Sequence, residues 1–80
     1  MPVVLRIRSI VFYFYSREHL PIHVHIKAAE RKAKIEVESG KVVYNKGFSK
    51  SDMKLLKTVV ENEKELIKES WNEYFKNKEI

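Results

Sequence analysis

An α+β fold is what this chain of 80 residues predicts, an antiparallel meander of four or five strands with two C-terminal helices packed on one face. Three observations carry it. Through residue 44, apolar and polar residues alternate and β-branched and aromatic side chains abound. The breaks between these stretches are too short to hold crossover helices, so successive strands pair antiparallel. From residue 49 onward, apolar residues recur at spacings of three and four, the period of a helix.

Strands are predicted at residues 3–8, 10–15, 22–28, 32–37 and 42–44. Only Ser9 separates the first two, so one long bent strand is the rival reading and the count is four or five. Residues 16–21, Ala29-Glu30-Arg31 and Ser39-Gly40 form the other breaks, and Ser39-Gly40 has the strongest turn chemistry. Beyond Asn45-Lys46-Gly47, Ser49 is a natural N-cap and Asp52 an acidic first-turn residue, followed by an apolar stripe of Met53, Leu56, Val59 and Val60. Asn62 with Glu65 resembles a second capping box, and Leu66, Ile67, Trp71, Tyr74 and Phe75 continue the stripe. Two helices with a break near Asn62 are expected. One continuous helix is the alternative, because residues 61–65 hold neither Gly nor Pro. Trp71, Tyr74 and Phe75 at this spacing read as core rather than as a ligand pocket. The whole is read as a single domain over 1–80, with residues 1–48 forming the sheet and 49–80 a helical hairpin or broken helix.

A chain this short supports one modest core and no large internal active-site cavity. The absence of cysteine excludes a disulfide framework and a thiolate zinc site, and fits a reducing cytosol. Charges interrupt the apolar start, Val3-Val4-Leu5-Arg6-Ile7-Arg8, which argues against a signal peptide or membrane span. A cytoplasmic protein with no membrane partner and no cofactor is therefore expected. The net charge of +5 is unevenly spread: residues 1–48 hold nine Lys or Arg against four acids, and residues 49–80 hold seven of each. A basic surface of this kind attracts phosphate backbones, anionic headgroups or an acidic protein. The lysines of the helical half alternate with acids, as on a solvated face.

The helices must bury their stripes on one sheet face. Alternation assigns Leu5, Ile7, Ile10, Phe12, Phe14, Ile22, Val24, Ile26, Ala33, Ile35 and Val37 to that covered side. The opposite set is Arg6, Arg8, Tyr13, Tyr15, His23, His25, Lys27, Lys34, Glu36 and Glu38, read as one open surface. All three histidines of the chain lie within residues 19–25. Imidazole titrates near neutrality and also ligates metals, so the cluster marks candidate chemistry.

Three uses of this surface follow from its composition. Arg6, Arg8, Tyr13, Tyr15, His23, His25 and Lys27 make a platform on which rings stack against bases and cations meet phosphates of single-stranded RNA. The same residues suit an interface with a small protein partner or a second copy, or an ordinary wet sheet face. The alternative is enzymatic: a histidine-dependent ribonuclease or a metal-dependent enzyme built on His19, His23 and His25. In the first, one imidazole removes a proton, another supplies one, and Lys27 or Arg6 stabilises the developing charge. In the second, His23 and His25 act as weak metal candidates, with Glu36 or Glu38 adding a carboxylate. No phosphate-cradling glycine loop, nucleophile elbow or paired-carboxylate motif is present, which removes most other enzyme classes.

The succession of Pro2-Val3-Val4-Leu5-Arg6-Ile7, Phe12-Tyr13-Phe14-Tyr15-Ser16, Pro21-Ile22-His23-Val24-His25, Ala33-Lys34-Ile35, Asn62-Glu63 and Trp71-Asn72-Glu73-Tyr74-Phe75 resembles a small prokaryotic family, the domain of unknown function four-one-six-zero. No activity is assigned to that family. Its members typically carry Pro-Pro or Glu-Pro-Pro directly before the histidine pair, where this chain has Leu20-Pro21-Ile22. The resemblance implies a toxin–antitoxin-like pairing with a small protein partner.

Overall fold

The computed structural model describes residues 3–15 and 20–76. Five strands, β1 (Val3–Ile7), β2 (Ile10–Tyr13), β3 (His23–Ala28), β4 (Arg31–Glu36) and β5 (Val42–Lys46), precede two helices, α1 (Lys50–Asn62) and α2 (Lys64–Lys76). The strands pair antiparallel in chain order, β1-β2-β3-β4-β5, an α+β meander. The first two strands are distinct. A two-residue turn at Arg8 and Ser9, with Arg8 at φ 55°, reverses the chain, and Ile7 pairs with Ile10.

Val24, Ile26, Ala33 and Ile35 from the centre of the sheet meet Met53, Leu56 and Val60 of α1 and Ile67 and Trp71 of α2 in one core. Phe12, Phe14 and Phe48 close it at the sides. Burying such side chains stabilises the fold by about 1.5–3 kcal/mol each. Ile7, assigned to this side by alternation, is exposed, because it ends an edge strand beside the Arg8 turn. In α2 the inward line is Ile67, Trp71 and Phe75, four residues apart, so Leu66, read into the stripe, is exposed and Tyr74, read as core, lies outside it.

Local chemistry places the helices. The Asn45 side chain donates from Nδ2 to the Phe48 carbonyl (2.9 Å) and accepts from the Phe48 N–H (3.1 Å), folding the chain so that Phe48 turns inward. Ser49 then caps α1, its Oγ accepting from the Asp52 N–H at 3.1 Å. The break between helices falls at Glu63, whose N–H bonds back to the Val59 carbonyl. Asn62 is therefore the last residue of α1, and the expected capping box centred on it is replaced by this C-terminal turn. Glu38 was expected on the open sheet face. It lies beyond the end of β4 and pairs instead with Lys68 (2.7 Å) and Lys64 (3.3 Å) of α2.

Candidate functional site: the uncovered face of the sheet

Two cross-strand rows make the face opposite the helices. Register aligns Arg6, Val11, Lys27, Lys32 and Lys46, one residue from each strand. It also aligns Val3, Tyr13, His25, Lys34 and Tyr44. Two β-bulges make this possible. One extra residue, Val4, shifts β1 between Val3 and Leu5, and another, Val43, shifts β5 between the partners of Lys34 and Ile35. Val42 thereby packs toward the core while Tyr44 and Lys46 join the uncovered face.

The histidine pair does share this face, but it is not open to solvent. His23 is 5% exposed, His25 6% and Tyr13 2%. The expectation of a solvated histidine and tyrosine platform is thus corrected: flat rings on adjacent strands gain more by packing on one another than by standing in water. The Tyr13 and His25 rings stack at 5.4 Å with 25° between planes. Tyr15 meets His25 edge-on at 4.4 Å, and the Lys27 ammonium lies 5.4 Å from the centre of the Tyr13 ring. Lysine stems cover buried ring surface while their charged ends reach water.

The rings continue past the sheet. His23 and His25 contact edge to face at 5.5 Å, and His23 meets Trp71 of α2 at 5.3 Å. Trp71 in turn touches Phe14 at 5.1 Å and Phe75 at 4.6 Å. His23 Nδ1 lies 2.7 Å from the Pro21 carbonyl oxygen. That oxygen can only accept, so Nδ1 carries the proton and Nε2 is the ring's other polar atom. With the two imidazoles in direct contact, a phosphate has no room between them. Their geometry suits an aromatic support better than an acid–base pair working on opposite sides of one substrate.

What remains accessible is the rim of the ring cluster. Tyr15 is 45% exposed and Tyr44 41%, while Arg6, Lys32 and Lys46 are exposed and Lys27 and Lys34 half-buried. Burial, and secondarily the neighbouring Tyr15, pushes the Tyr44 hydroxyl above its ordinary value, so it stays protonated at neutral pH. Among the described residues, ion pairs engage Arg31, Lys64 and Lys68, leaving the cations of the two rows out of any such pair. Glu36 is the one acid the sheet contributes here, and it accepts a hydrogen bond from Ser39 at 3.0 Å.

Of the residues expected to form the surface, Arg6, Tyr15 and Lys27 take part as accessible groups, and Tyr13, His23 and His25 as buried support. Arg8 sits in the β1–β2 turn with a left-handed backbone, off the alternation that assigned it to the face. His19 lies outside the described residues. No group of three or more His, Asp or Glu able to hold a metal is found among the described residues. Sequence reasoning missed Lys32, Tyr44 and Lys46. Lys32 follows from the same alternation as Lys34, whereas Tyr44 and Lys46 depend on a bulge that alternation cannot foresee. No helix of the described residues is long and apolar enough to cross a membrane.

Comparison with curated proteins finds no match, and comparison with solved structures finds none either. A family model described as "Domain of unknown function (DUF4160)" matches residues 9–72, from the β1–β2 turn to the middle of α2, and the chain belongs to that family.

Proposed function

We propose that the protein binds single-stranded RNA across the uncovered face of its sheet. The observation that carries this reading is the cross-strand row of Arg6, Lys27, Lys32 and Lys46, set beside exposed Tyr15 and Tyr44. Four strand spacings give that row a length of about 19 Å. Cations in line follow a phosphate backbone, and tyrosines next to them offer faces to unstacked bases. The buried Tyr13, His25 and His23 hold these groups in place through ring packing. A cytoplasmic setting, where RNA is abundant, fits a chain without cysteine. An acidic small protein seated on this face would mask it, the form a toxin–antitoxin-like pair would take.

The test is fluorescence anisotropy of a labelled single-stranded RNA over a range of salt concentrations, with cleavage scored in parallel with and without chelator. Four phosphate contacts give a slope of log affinity against log salt of about −3. Tyr44→Ala and Tyr15→Ala each weaken binding by about 1–3 kcal/mol if each ring stacks one base. Absence of binding at low salt would sink the proposal and leave the face as a protein interface. Cleavage abolished by His23→Ala/His25→Ala in a protein that still folds would favour the enzymatic alternative instead.

A further inference from the structure

The sheet face is not the only place where cations are grouped. Lys50, Lys54 and Lys57 of α1 stand at spacings of four and three, so they line one side of the helix over about 10 Å. They border a groove of about 480 Å³ floored by Phe48, and Asn45 of β5 forms its near wall. Asn45 is the immediate neighbour of Lys46, where the sheet's cationic row ends. Asp52, the acid closest in sequence to these lysines, is drawn to Arg31 at 3.5 Å, and Arg31 itself lies over the Phe48 ring. Among the described residues none of the three lysines is held in an ion pair, and Glu61 is the single acid lining the groove, at its far end.

Building on the RNA-binding reading, we infer that the bound single strand leaves the sheet at Lys46, rounds the β5 edge and continues along the groove beneath Lys50, Lys54 and Lys57. Charge complementarity selects the occupant: three unpaired ammonium groups in line above a mixed polar and apolar floor match a polyanion with exposed bases. The footprint is then longer than the sheet alone could contact, and long strands are favoured over short ones.

The experiment compares oligouridylates of about four and about twelve nucleotides, spanning the range of small single-strand sites. Three proteins are needed: wild type, a sheet variant (Lys27→Gln/Lys32→Gln/Lys46→Gln) and a helix variant (Lys50→Gln/Lys54→Gln/Lys57→Gln). Glutamine keeps helix propensity close to that of lysine, and thermal melts check that each variant folds. On the long oligomer the helix variant should lose about 2 units of salt slope and about 100-fold in affinity near 0.1 M salt. On the short oligomer it should bind like wild type. Wild-type affinity of the helix variant for the long oligomer, or equal losses on both lengths, would overturn the extended track while leaving the sheet reading standing. A sheet variant that binds both oligomers like wild type removes the RNA-binding reading, and the track with it.

Discussion

Tyr13 on β2 and His25 on β3 are register partners whose rings stack at 5.4 Å, both sealed from solvent on the face of the sheet that carries no helix. That pair turns a would-be wet surface into a second, smaller packed layer. Replacing Tyr13 with Ala should cost about 3–5 kcal/mol, as for a large buried aromatic in a core. A double-mutant cycle with His25→Ala should return a coupling of about 0.5–1.5 kcal/mol, read from denaturant midpoints. Additive losses would mean that the two rings are neighbours without mutual stabilisation.

Trp71 joins the two layers, since it touches Phe14 in the core and His23 on the opposite face. Trp71→Ala should lower stability by about 3–5 kcal/mol. It should also perturb the His25 ring resonances by NMR, although His25 is one ring removed. Trp71→Phe keeps part of the contact area and should lose less than half as much. If the His25 signals do not move in either variant, the ring chain does not transmit the change.

Gly47 occupies the turn into α1 at φ 100°, and a Cβ there would lie 2.9 Å from Cγ of Arg31. Gly47→Ala is therefore opposed by backbone conformation and by contact, and should destabilise by about 1–3 kcal/mol. Adding Arg31→Ala removes the contact but not the left-handed backbone. The double variant should recover only part of the loss in a thermal melt. Full recovery would place the whole cost in the side-chain collision.

Hydrogen bonds from Lys68 and then Lys64 hold the Glu38 carboxyl below its ordinary range, and Glu38 holds the Lys68 ammonium above its own. A depressed carboxylate contributes stability that is present above its unfolded value of 4.5 and lost as pH falls through its folded value. The Tm of the wild type should thus fall between neutrality and acid by more than that of Glu38→Gln. The groups are exposed, so the difference is small and shrinks in high salt. Parallel curves for the two proteins would show that the pair contributes nothing.

The sequence by itself determined the meander, the capping of α1 by Ser49, the apolar stripe of α1, the inward Ile67 and Trp71 of α2 and the shared face of His23, His25 and Lys27. Each follows from local rules: alternation in strands, three-and-four spacing in helices, and a side-chain oxygen placed before a first turn. Only the tertiary structure decided that Tyr13, His23 and His25 are buried, because burial depends on which rings register brings together and not on which way they point. It also decided that Tyr44 and Lys46 join the basic face, through a bulge at Val43 that reverses the alternation of β5. Glu38 left that face for the same kind of reason. It lies past the end of β4, where two lysines of α2, distant in sequence, pair with its carboxylate.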